Sequence, residues 1–184
     1  MDEFIVERRA RQDALWPTCQ LLPGVRKLVE HLARHKIPMA VATGSIRRNY
    51  NLKAGHHREV FDLFGNHVIC GDDPHLKGLG KPRPDIFLLA AELLGRKVGG
   101  GEVSSLDAKG EEGRRLIQER ARGLVLEDSI NGLEAGQRAG MKTIWVPDEK
   151  LRALEPNETY GADRVLQSLE HFKPEEWGLP PYDS

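Results

Sequence analysis

Four short, nearly all-apolar runs recur along this chain: "IPMAVAT" (37–43), "HVIC" (67–70), "GLVLE" (123–127) and "KTIWV" (142–146). Runs so short, bounded by glycine and polar residues, predict strands buried on both faces. Helical periodicity fills the sequence around them. After Pro23-Gly24, Val25, Leu28, Val29 and Leu32 fall at i, i+3, i+4 and i+7, and Ile86, Leu89, Ala90 and Leu93 share one face after Pro84. A polar helical stretch runs to about Ala54, and another helix opens at Ser129. Such alternation makes parallel βαβ units, so the expected fold class is α/β, a Rossmann-like doubly wound parallel sheet with flanking helices.

The remaining composition narrows what such a sheet would do. With 184 residues, 39% hydrophobic and 30% charged, the chain fits one globular domain. Its net charge is −1 and its basic residues are scattered, which argues against nucleic acid or an anionic membrane as partner. No apolar run approaches the roughly 18 residues that span a bilayer, and the charged opening "MDEFIVERRARQD" is unlike a signal peptide, so a cytoplasmic location is expected. Cys19 and Cys70 lack C-x-x-C spacing and read as buried thiols. The segment 96–122, rich in Gly, Ser and charge, reads as a partly mobile surface insertion; its "VGGGEVSS" lacks the Gly-Lys-Ser/Thr ending of a Walker A loop.

In open parallel sheets the ligand crevice lies beyond the carboxyl ends of the strands. There the sequence places Thr43-Gly44-Ser45, then Lys81, then Glu127-Asp128. The Thr43 hydroxyl and the Gly44 and Ser45 amides form an anion site at a helix start, and Lys81 adds a compact positive charge. Two adjacent carboxylates repel unless a cation lies between them and the phosphate. Mg²⁺, a hard ion held by one or two carboxylates plus phosphate and water, suits the set. Taken singly, each residue has a plainer role: a helix cap for Thr43-Gly44-Ser45 or Asp128, a solvated Lys81, an exposed strand end for Glu127. Their joint placement at three successive strand ends favours a phosphate and metal site, with a small phosphorylated metabolite as partner.

"VATGS", "GKPRPDIF" and "VLEDSINGLEAGQRAG" resemble the second, third and fourth motifs of haloacid dehalogenase-like phosphatases, over a span from about Leu21 to Val146. "GDDP", "MKTIWVPD" and the tail "LQSLEHFKPEEWGLPPYD" resemble the pseudouridine-5′-phosphatases among them. The resemblance implies a Mg²⁺-dependent phosphomonoesterase acting on a small metabolite such as pseudouridine 5′-phosphate. On its terms Thr43 and Gly44 bind the phosphoryl group, Lys81 steadies it and the nucleophile, Glu127 and Asp128 hold Mg²⁺ directly or through water, and Asn131 supports them. Asp72, Asp73 and His75 lie in the loop before Lys81, where they hold the loop or shape the site; His56-His57 has no matching ligand nearby in sequence.

The family's first motif, an Asp-x-Asp whose first aspartate attacks phosphorus, is missing from these 184 residues. Asp2 and Asp13 sit in a charged helical stretch and are poor substitutes. Residues 1–20 resemble the last cap helix and hinge, and 21–184 the core without its first strand, so the chain is expected to begin inside the cap. Such a chain is expected to be inactive and marginally stable, with the flanking strand edges unpaired or forced together. A truncated paralogue that binds phosphate, metal or a regulated partner is the other reading.

Overall fold

In the computed structural model, which describes residues 3–183, eight helices and five short strands alternate. The helices are α1 (Glu3–Leu15), α2 (Val25–Arg34), α3 (Arg47–Ala54), α4 (Arg58–Phe61), α5 (Asp85–Leu93), α6 (Glu111–Arg120), α7 (Ile130–Ala139) and α8 (Glu149–Leu154). The strands are β1 (Val41–Ala42), β2 (Val68–Ile69), β3 (Leu124–Glu127), β4 (Lys142–Trp145) and β5 (Arg164–Val165). Every pairing is parallel, as the alternation predicts.

The single sheet expected from that alternation is divided in two. β1 pairs only with β2, with Val41 opposite Val68; β3, β4 and β5 form a second sheet with Leu124 opposite Lys142 and Ile144 opposite Arg164. Among the described residues no ladder joins β1 to β3. Each therefore keeps one edge without a strand partner, and the apolar run 37–43 contributes only Val41 and Ala42 to a strand.

Apolar packing bridges the break. Helix α5 buries Ile86, Phe87, Leu88 and Ala90 in one cluster with Ile69 of β2, Val125 of β3, and Ala135 and Ala139 of α7. A second cluster on the other side joins Leu28 and Leu32 of α2 to Ile144, Val146 and Phe172, closed over by Leu166, Leu169, Trp177 and Leu179 of the carboxyl-terminal segment. Both faces are thus covered, as a parallel sheet requires.

The segment 96–122, expected as a partly mobile insertion, is organised around one side chain. Arg120 closes helix α6 fully buried, and its guanidinium donates to the carbonyls of Val98 (2.7 Å), Gly101 (2.9 Å), Gly99 and Gly100 (3.0 Å each). Glycine supplies the positive φ that turns these carbonyls inward at Gly99 and Gly101. The fork of donors then substitutes for a strand or helix partner.

Cys70 is buried, as expected, whereas Cys19 is only partly so. Burial pushes the Cys70 thiol above its ordinary pKa. His56 and His57 both donate to the Cys19 carbonyl, at 2.6 and 2.9 Å, which fixes the turn before α4.

Candidate active site

The residues singled out at the three strand ends share one cleft. A cavity of about 570 Å³ is lined by Ala42, Thr43, Gly44 and Ser45 after β1, by Gly80 and Lys81 from the loop after β2, and by Leu126, Glu127, Asp128 and Asn131 at the end of β3 and start of α7. It opens where the two sheets part. Ala42 and Leu126, one from each separated strand, both face it.

Lys81 spans that gap. Its Nζ donates to the Ala42 carbonyl at 3.0 Å and forms a close ion pair with Glu127 Oε1. Side-chain exposure is 13% for the lysine and 8% for the glutamate, so this is a buried pair. Phe87 lies beneath the ammonium, its ring centroid 4.9 Å away, and adds cation–π attraction. The Lys81–Pro82 peptide bond is cis.

Ser129 organises the carboxylates. It caps α7 by accepting from Gly132 N–H at 3.1 Å and donates its hydroxyl to Glu127 Oε2, also at 3.1 Å. The Glu127 carboxylate therefore lies against the first turn of α7, where the helix dipole favours negative charge. Only glycine fits below it: a Cβ at position 132 would sit 2.1 Å from Glu127 Cδ and Oε2. Asp128 gives its carbonyl to the indole of buried Trp145 at 3.0 Å, while the residue stays exposed at the cleft mouth. Asn131 lines the cleft without a hydrogen bond to either acid among the described residues.

At the β1 end the geometry differs from expectation in one respect. Ser45 N–H is not open to an anion, because it donates to Thr43 Oγ1 at 3.1 Å. Helix α3 starts two residues later, and its first amide, Arg47 N–H, is capped by Asp72 at 2.8 Å. Asp72 thus locks the loop after β2 to the start of α3, and Asp73 caps the turn that follows by accepting from His75 N–H at 3.0 Å. The backbones here are close: a Cβ at Gly71 would lie 2.4 Å from the Gly44 carbonyl oxygen.

Sequence reasoning missed Lys53. From the last turn of α3 its Nζ donates to Ser45 Oγ at 3.1 Å and lies 4.0 Å from the ring centroid of Trp16. A basic residue two helical turns after a strand-end hydroxyl was the available signal. Asp13 of α1 is engaged elsewhere, held by the two terminal guanidinium nitrogens of Arg48 at 2.7 Å each, and that pairing keeps its carboxyl below the usual range. Asp2 lies outside the described residues.

The oxygen set of Glu127 and Asp128, beside an ammonium and a hydroxyl-bearing loop, is the donor chemistry of a hard divalent cation and a phosphate. In this structure the Lys81 ammonium neutralises Glu127. The family model for haloacid dehalogenase-like hydrolases matches residues 2–140. The chain belongs to that family. It is 41% identical over 182 residues to (DL)-glycerol-3-phosphatase 2 of Arabidopsis thaliana, covering 99% of this chain and 66% of that protein. It is 37% identical over 181 residues to "Probable pseudouridine-5′-phosphatase" of Drosophila melanogaster, covering 98% of this chain and 68% of the fly protein. Among solved structures it superposes with a haloacid dehalogenase family hydrolase from Deinococcus radiodurans R1, holding bound phosphate and sodium, at a TM-score of 0.71 and 25% identity, over 98% of this chain and 71% of that one. The chain thus spans somewhat less than two thirds of the plant relative's length.

Proposed function

We propose that the cleft binds a phosphomonoester together with Mg²⁺, as the phosphate-binding part of a phosphomonoesterase of small phosphorylated metabolites. One observation carries this reading: Thr43, Lys81, Glu127 and Asp128, from three separate strand ends, line a single cleft with Lys81 bridging its two walls. The Thr43 hydroxyl, the Gly44 amide and Lys81 hold the phosphoryl oxygens, with Ser45 completing the loop. Lys53 adds a second positive charge behind it. Glu127 and Asp128 hold the ion, and Asn131 fills the space beside them. Mg²⁺ held there would supply Lewis-acid neutralisation of the charge that develops at phosphorus. The engagement of Lys81 with Glu127 supports a shared role, since arrival of a phosphate and a cation lets each switch from its partner to its ligand.

The slot between β1 and β3 is the place of one further parallel strand bearing the Asp-x-Asp. Both bordering strands offer an unpaired edge to it. Residues 1–20 are the end of a helical cap and its hinge, and 21–184 the core; α1 packs on the turn Trp16–Thr18 and reaches α3 through the Asp13–Arg48 pair. No Asp-x-Asp occurs in these 184 residues, so no carboxylate of that motif is available to attack phosphorus, and the 184-residue polypeptide is expected to bind without turnover. The names of the relatives make glycerol 3-phosphate and pseudouridine 5′-phosphate the substrates to try first.

Titration calorimetry with inorganic phosphate in Mg²⁺ buffer tests the reading. Saturable binding is expected, weakened at least tenfold in Lys81→Met, alongside background phosphate release from both esters. Turnover by the 184-residue polypeptide alone, or phosphate affinity indifferent to Lys81, would overturn it.

A further inference from the structure

From α2, His31 and His35 project one helical turn apart toward Asp183 of the carboxyl-terminal segment. One ring nitrogen from each histidine and one Asp183 oxygen lie within 4.8 Å of one another. We propose that these three residues bind a divalent transition metal of the zinc class, which fastens residues 180–183 to α2.

His31 carries the argument. It is fully buried, and its Nε2 lies 2.9 Å from the Pro180 carbonyl. A carbonyl only accepts, so Nε2 bears the proton and donates. That leaves Nδ1 as the nitrogen with a lone pair, and it is buried with no hydrogen-bond partner among the described residues. An orphaned buried acceptor is costly. The same arrangement is what a metal-binding imidazole adopts, one nitrogen donating to a backbone carbonyl and the other facing the ion.

The other two ligands are already near metal-bound spacing. Bond lengths of about 2.0–2.1 Å in a tetrahedral zinc site put neighbouring ligand atoms roughly 3.3 Å apart. His35 Nε2 and Asp183 Oδ1 stand 3.4 Å apart. Closing the remaining span asks only for rotamer adjustment of His35 and Asp183, which are exposed. Arg34 pairs with the other Asp183 oxygen, Oδ2, at 3.0 Å, so it orients the carboxylate and leaves Oδ1 to the metal. Two imidazoles and one carboxylate select zinc-like ions over Mg²⁺, in contrast to the oxygen-only cleft. The fastening matters because the same segment closes the second apolar cluster through Trp177 and Leu179.

The test uses the untagged 184-residue chain, with Mg²⁺ in excess to occupy oxygen-only sites. Co²⁺ is titrated while its visible absorption is followed. One Co²⁺ per chain with the intense bands of tetrahedral coordination is expected, displaced by one equivalent of Zn²⁺, and Zn²⁺ should raise the melting temperature. His35→Gln and Asp183→Asn each remove a ligand from an exposed position, so both should fold, and each should weaken the metal at least tenfold. Binding in His56→Gln should be unchanged. Absence of the tetrahedral spectrum, or affinity undiminished in both variants, would overturn the proposal.

Discussion

Replacing Gly132 by alanine should destabilise the protein for a reason that can be isolated. The added methyl would lie 2.1 Å from Glu127 Cδ and Oε2 and 2.5 Å from Oε1, so the carboxylate must leave its seat. Leaving it breaks the charged bond to Lys81, worth about 1.5–3 kcal/mol, and the bond from the Ser129 hydroxyl, worth about 0.5–1.5 kcal/mol. Alanine returns roughly 1 kcal/mol in helix propensity, because position 132 lies within α7. The net loss is about 2 kcal/mol, a drop in Tm of roughly 4–8 °C for a chain of this size. In a Glu127→Ala background the clash is gone. There the same substitution should become stabilising, by up to about 1 kcal/mol. Thermal and urea unfolding of all four proteins, followed by circular dichroism, would measure the sign reversal. Equal effects of Gly132→Ala in both backgrounds would refute the placement of Glu127 against the first turn of α7.

Three further outcomes are expected. Arg120→Leu strips the donors from four carbonyls, the one of Val98 buried and those of Gly99, Gly100 and Gly101 partly so, and should cost about 3 kcal/mol, with hydrogen exchange rising first at 98–101; Arg120→Lys should not rescue it, since an ammonium lacks the fork. Asp72→Ala leaves Arg47 N–H uncapped and should cost about 1 kcal/mol, read by chemical denaturation. Burial pushes the Asp163 carboxyl up, but the Lys142 ammonium and the Thr143 amide and hydroxyl outweigh it and hold it below its usual 3.8. A depressed folded-state value means that this stabilisation is complete above the unfolded value and lost as pH falls through the folded one. The stability difference between wild type and Asp163→Asn should therefore be constant above about pH 5 and shrink below about pH 4 in acid-unfolding curves.

Where hydrophobic period and chain order carry the information, the sequence was sufficient. The run "GLVLE" and the apolar stretch from Ile86 announce β3 and α5, but the expected face of Ile86, Leu89, Ala90 and Leu93 holds only in part: α5 also buries Phe87 and Leu88 and leaves Leu93 46% exposed. The convergence of Thr43, Lys81, Glu127 and Asp128 was likewise legible, since parallel strands bring their carboxyl ends to one edge whatever lies between. What escaped depended on contacts across long separations. Arg120 turns a glycine-rich run into an ordered segment, but its partners lie 19 to 22 residues away, and nothing local distinguishes it from an exposed helical arginine. The Thr43–Ser45 bond, which withdraws an amide from the expected anion site, is a matter of one loop's geometry. The pairing of His31 and His35 with Asp183 spans about 150 residues and has no signal beyond the i, i+4 spacing of the two histidines.

The central claim is that one cleft holds phosphate and Mg²⁺ together, and their mutual dependence is its most direct measure. Phosphate affinity should be determined by calorimetry at zero and saturating Mg²⁺, and Mg²⁺ affinity at zero and saturating phosphate. Each ligand should tighten the other by the same factor, tenfold or more, with the coupling abolished in Asp128→Asn. Independent affinities, or coupling that survives Asp128→Asn, would contradict the account.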